Sequence, residues 1–268
     1  MTIWEHLGEL RHRLTIIIVA LLVATGVLYF VAPYLIFFLI QPVLDWITEV
    51  PIESIDDLSA ALIVRTPLGG FSLRFFVAIF FAVLFTSPIW IWQLMAFFLP
   101  ALKPNERKWV LPTFFAGLTL FIVGLVFCYF VILDPAFAWL LGQTKDFALV
   151  LADANEYLPL IMLFEIAFGF AFQLPLIVFY LLIFNIIPYK KLRKNWRIVY
   201  VVLLVFCAMV TPDASPVTMI LMFVAMAGLY EVALALSRIV LRKRIKAKEA
   251  EDAAEEAREA EAEAKADA

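Results

Sequence analysis

Cysteine is nearly absent from this chain: Cys128 and Cys207 are the only two in 268 residues, each inside an apolar run, so neither a disulfide framework nor a cysteine-based metal site is indicated. Histidine is equally scarce. His6 and His12 stand six residues apart and point to different sides of a helix, which leaves no histidine pair for a metal. No nucleophile elbow, phosphate loop or HExxH pattern is present, and the chain reads as a non-enzyme with no cofactor. Nothing points to a nucleic-acid partner. Charge is thin at 17% of residues, against 65% hydrophobic residues and a mean hydropathy of +0.96, which excludes an ordinary soluble domain. Internal repeats are missing too, which weighs against the many secondary transporters built from them.

What is there is a series of long apolar runs, and they predict an all-α polytopic membrane protein. Six spans are expected, at about 14–40, 71–98, 109–133, 157–184, 198–210 and 217–236. An interfacial helix over residues 1–13 precedes them and a charged tail over 241–268 follows. The first run is too long for the apolar core of a signal peptide and is expected to stay attached. Gln41 to Gly70 carries Asp45, Glu49, Glu53, Asp56 and Asp57 against Arg65, and reads as an outside cap with a short helix around Ser54 to Val64. Asp134 to Glu156 reads as a second outside loop. Lys103, Arg107 and Lys108, and then the run from Lys190 to Arg197, mark inside loops. Only Arg65, Arg74 and Lys145 fall outside on this topology, leaving 18 of the 21 Lys and Arg inside and both termini in the cytoplasm. The fifth run is short for a span. Were it re-entrant, Arg238, Arg242, Lys243 and Arg244 would lie outside, so a short span in a locally thinned bilayer is expected.

Function is sought where charge and membrane meet. In Glu5-His6-Leu7-Gly8-Glu9-Leu10-Arg11-His12-Arg13-Leu14 the residues Ile3, Leu7, Leu10 and Leu14 form one stripe, and Glu5, Glu9 and Arg13 the opposite one at i,i+4 steps. Arg11 and Arg13 suffice to hold an N-terminus inside, but they leave the two glutamates unexplained. Glu165 lies within the fourth run, where an unpaired carboxylate costs about 2.5 to 3.5 kcal/mol, so it is expected to face protein or water. Gln173 follows eight residues on, near the same face, and with Glu165 is expected to line a polar concavity. Glu231 either pairs with Arg238 or is an acid satisfied between helices. Asp213, beside Pro212, has the chemistry of a turn residue or cap.

The opening stretch resembles the EHLxELRxRL motif of TatC, the multispanning receptor subunit of the twin-arginine protein translocase. Phe97 to Arg107, FFLPALKPNER, is similar to that family's F-x-x-P-A-L-x-x-x-E-[KR]. The likeness continues in order through Gly124-x-x-Phe127-x-Tyr129-Phe130, Leu192-Arg193-Lys194-x-x-Arg197, Thr211-Pro212-Asp213 and Leu229-Tyr230-Glu231, covering roughly residues 3 to 240. Three positions depart from it: Gln173 stands where the family usually has Glu, Gly69-Gly70 where an acid follows Pro67, and Pro135 is displaced by one.

The resemblance implies recognition of signal peptides bearing two adjacent arginines. It also implies proton-motive-force-driven export of folded proteins with small single-span partners of the TatA/TatB type, in a bacterial or archaeal cytoplasmic membrane; self-association stays open. The expected binding residues are Glu9, Glu106, Phe97 and Arg11, with Arg11 and Arg13 either orienting the chain or organising Glu9. Two carboxylates suit two guanidinium groups, since the planar fork is something lysine cannot reproduce. The competing reading is an ion- or proton-coupled solute transporter in which Glu165, Gln173 and Pro175 mark a broken helix. A passive scaffold would leave all these acids individually dispensable.

Overall fold

The computed structural model describes residues 3–48, 53–98, 110–144, 151–183, 187, 189–211 and 215–240, and the regular structure among them is helical apart from one isolated bridge. Helix α1 runs unbroken from Ile3 to Phe30. The interfacial helix and the first span are thus one rod, because nothing around Leu14 breaks it and the lone Gly8 costs only about 1 kcal/mol. The rod stops at Val31. Pro33 sits in the first turn of α2 (Ala32–Ile40), where its missing N–H is no loss. The run expected as one span over 14–40 is therefore two helices, and the second continues through a 3-10 turn at Gln41–Val43 into α3 (Leu44–Ile47).

The second run is broken as well. Helices α5 (Gly69–Phe85) and α6 (Ser87–Phe98) meet at 57° across Thr86, whose hydroxyl donates to the Ala82 carbonyl at 2.7 Å. Pro88 falls in the first turn of α6, the one place where a helix tolerates it without losing a bond. The short helix of the outside cap shrinks to α4 (Leu58–Ala61), four residues. The third run, conversely, is longer than expected. Helix α7 (Val110–Phe127), a π-helical turn (Cys128–Ile132) and α8 (Leu133–Gly142) form one apolar rod of 33 residues, so Asp134 and Pro135 lie in a helix and not in a loop. The fourth run divides into α9 (Ala154–Ala171) and α10 (Leu174–Ile183), because Pro175 cannot bond back into the preceding turn. After α11 (Tyr189–Lys194) come α12 (Trp196–Val210) and α13 (Pro216–Val240).

Among the described residues four rods are long and apolar enough to cross a membrane: Leu7–Phe30, Val110–Gly142, Ala154–Leu182 and Pro216–Ile239; α5 with α6 makes a fifth if the bent pair is one span. Helix α12 has 15 residues, about 22 Å of rise against a hydrocarbon core of about 30 Å. Side chains are sorted for a lipid solvent. Phe80, Phe81, Ile132, Phe137, Leu158, Ile161, Phe164 and Phe168 are buried together, while Phe30 and Met209 face outward, 83% and 80% exposed. Small residues let the backbones close up. A Cβ on Gly124 of α7 would stand 2.8 Å from the Phe168 carbonyl oxygen and 2.9 Å from Phe172 Cβ, and one on Gly169 of α9 would stand 2.8 Å from the Phe121 ring.

The two outside segments of the sequence reading are stitched to each other. Ile63 N–H donates to the Ala152 carbonyl and Ala154 N–H to the Ile63 carbonyl, both at 2.9 Å, and Arg65 Nε lies 3.3 Å from Asp153. Asp153 also caps α9, accepting from Asn155 N–H at 2.9 Å. Gly69 sits in the seam, where a Cβ would come within 2.6 to 2.8 Å of Val64, Asn155 and Thr66 side chains. That close approach leaves room for nothing larger than glycine at this position. Gly69→Ala is expected to push the cap off α9 at a cost of about 1 to 3 kcal/mol, read as faster proteolysis within residues 53–68.

Candidate functional site

Near its start helix α1 turns three leucines outward and the pair Glu9 and Arg13 inward, the reverse of a soluble amphipathic helix. Leu7, Leu10 and Leu14 are exposed, whereas Glu9 and Arg13 are half-buried against α6. Apolar solvent on the outside makes that the favourable arrangement. Arg13 Nε donates to Glu9 Oε1 at 3.0 Å, Nη2 donates to the same oxygen, and Nη1 donates to Gln93 Oε1 at 3.1 Å. The pair is therefore lopsided. Both donors converge on one carboxylate oxygen, and Glu9 Oε2 is buried with no hydrogen-bond partner among the described residues. An acceptor left in that state costs about 1 to 3 kcal/mol.

Phe97 lies one turn beyond Gln93 on α6 and is half-buried. Arg11 is exposed and makes no ion pair with a described residue, so of the two arginines it is Arg13 that organises Glu9. Glu106 and Asp213 lie outside the described residues. Gln93 was not singled out from the sequence. Its signal was legible all the same: it is the lone amide in the apolar run Ile89 to Phe98.

The intramembrane polar residues do not form one site. Gln173, at the break between α9 and α10, donates Nε2–H to the Gly117 carbonyl at 3.1 Å and lines an apolar pocket of about 210 Å³ with Trp90, Leu94, Thr113 and Phe121. Glu165 does not line that pocket. It is 4% exposed, packed between helices in electrostatic reach of Cys128 and Tyr129 on the π-helical turn, and its Oε1 has no partner among the described residues. Eight residues is close to two helical turns, or about 12 Å of rise, so the two polar groups stand at different levels of the same rod. The wide turn also aims Tyr129, whose ring stacks on Phe38 at 4.8 Å and whose hydroxyl donates to the Phe38 carbonyl at 2.7 Å.

Glu231 pairs across helices and not with Arg238. Arg193 Nη1 of α11 donates to its two oxygens at 3.1 and 2.9 Å, and the Tyr200 hydroxyl of α12 donates to Oε1 at 2.9 Å. Three successive helices, α11, α12 and α13, are thereby clasped at one carboxylate. The basic loop expected only to orient the chain thus has a structural partner.

Comparison with known proteins bears on what this arrangement belongs to. The family model for TatC, described as the Sec-independent protein translocase protein, matches residues 5–224. A Sec-independent protein translocase protein TatC of Frankia casuarinae is 35% identical over 237 residues, 87% of this chain and 65% of that protein. The TatC of Carboxydothermus hydrogenoformans is 29% identical over 91% of this chain and 95% of its own length. Among solved structures, a crystal structure of the twin arginine translocase receptor TatC in DDM superposes with a TM-score of 0.69 at 28% identity, covering 87% of this chain and 99% of that one. A match over most of the chain in sequence and in fold, on a bundle whose apolar side chains face outward, places this multi-pass membrane protein in the TatC family of Sec-independent protein translocases.

Proposed function

We propose that this chain is the receptor subunit of its translocase, binding signal peptides with paired arginines at the cytoplasmic face. With single-span partners of the TatA/TatB type it would take part in proton-motive-force-driven export of folded proteins. Six passes, with both termini in the cytoplasm of a bacterial or archaeal inner membrane, belong to the same proposal; α12 is then the short fifth span. The observation that supports it best is Glu9: a carboxylate held half-buried on the protein-facing side of α1, already engaged with a guanidinium and with one oxygen that has no partner among the described residues. This is acceptor chemistry for arginine. Glu106 supplies the second carboxylate in this reading, and Phe97, one turn beyond Gln93, an apolar wall. Gln173 offers the inserted part of the peptide or a partner helix an amide in an apolar pocket, and Glu165 contributes a polar group within the bundle.

The transporter reading is not supported: Glu165 does not line the pocket that Gln173 lines. The test is binding of a twin-arginine signal peptide to the purified protein against its twin-lysine version. Arginine is expected to be favoured by ten-fold or more, because lysine keeps the charge but loses the two-pronged contact. Equal affinities would discard the paired-carboxylate mechanism.

A further inference from the structure

The Glu9 site is not empty of guanidinium: its own Arg13 occupies it. We infer that Arg13 is an internal stand-in for a signal arginine, and that peptide binding is an exchange in which Glu9 leaves Arg13 while Gln93 retains it. The inference rests on the receptor reading above and adds how the site is kept before the peptide arrives. Three features of the geometry carry it. Glu9 Oε2 is enclosed and has no hydrogen-bond partner among the described residues, so a second guanidinium reaches it only if the carboxylate turns. Arg13 spends both of its Glu9-directed donors on a single oxygen, which is a weaker hold than two parallel bonds to two oxygens. An incoming arginine that engages both oxygens therefore makes the better pair. Finally, Arg13 is already tethered on its far side by the Gln93 carbonyl oxygen at 3.1 Å, so it is not left without a partner when Glu9 turns away.

Exchange has a consequence for selectivity. A peptide lysine has no fork to exceed the internal arginine with, so a resident guanidinium raises the threshold that a cationic peptide must pass. Arg13 acts as a filter on the binding proposed above, and Gln93 as its holder.

The measurement is peptide affinity of the full chain in detergent, with Arg13→Lys as the main variant because it preserves charge. A lysine there is a poorer competitor for Glu9, so the twin-arginine peptide is expected to bind about two- to five-fold more tightly, with the preference over the twin-lysine peptide reduced. Weaker binding by Arg13→Lys would overturn the inference and make Arg13 a group that merely positions Glu9. Arg13→Gln, measured at high salt where the lost charge is screened, is expected to tighten binding in the same direction and stands in if the lysine variant does not fold. Loss of the Glu9 dependence itself would strike the receptor reading. Retained Glu9 dependence with unchanged or lowered affinity in both Arg13 variants would strike only the exchange.

Discussion

Gly124→Leu is expected to unfold the protein or lower its stability by about 3 kcal/mol or more, the upper range for overpacking. The reason is the identity of the atom in the way. A Cβ at 124 meets the Phe168 backbone carbonyl oxygen at 2.8 Å, and a carbonyl in α9 cannot rotate aside as a side chain can. Phe172, at 2.9 Å, blocks the remaining direction. The helices α7 and α9 would have to part along their whole crossing, opening the layer of Phe121, Phe164 and Phe168. Gly26→Leu is the matching control. Gly26 on α1 is exposed with nothing within 4 Å of its Cβ position, so the larger side chain only adds lipid-facing surface there. Thermal unfolding in detergent, followed by loss of the monodisperse peak, is expected to separate the two variants clearly.

The second large effect belongs to the carboxylates. Glu9→Ala and Glu106→Ala are each expected to weaken twin-arginine peptide binding by ten-fold or more, and the double variant by about a hundred-fold if the two act independently. Each charge-assisted hydrogen bond contributes about 1.5 to 3 kcal/mol, and 1.4 kcal/mol is a factor of ten. Glu9→Ala does more than remove an acceptor. It leaves Arg13 with Gln93 as its one remaining hydrogen-bond partner among the described residues, a guanidinium beside the site that now repels the peptide. Glu9→Gln keeps a neutral acceptor oxygen for Arg13 and is expected to fall between wild type and Glu9→Ala. A titration of labelled peptide at fixed ionic strength reads all of these. Full binding in either single alanine variant would show that the arginines are held elsewhere.

Much of this molecule was legible in the residues, and the parts that were not share a cause. Class and family were legible because they depend on local quantities: the apolar runs, the clusters of lysine and arginine, and the ordered motifs from Glu5 to Glu231. Prolines marked breaks, but the sequence alone did not say which would divide a span. Pro33 and Pro175 head new helices, while Pro159 sits inside α9 without ending it. Spacing suggested that Glu165 and Gln173 line one concavity, whereas Gln173 lines the pocket beside Gly117 and Glu165 is buried outside that lining, a separation set by which neighbouring helix each meets.

Composition and pattern by themselves determined that this is a helical, multi-pass membrane protein with its acids and bases gathered at particular turns. Hydropathy and helical periodicity act over a few residues, so a linear reading captures them. Pairing was decided only by the tertiary structure: Arg13 reaching Gln93 across 80 residues, Arg193 reaching Glu231 across 38, and the Ile63 segment bonding to Asp153 and its neighbours. Which carboxylate meets which guanidinium depends on helix bends and on glycines that let backbones approach. Those are properties of packed helices, set by distances no single stretch of chain contains.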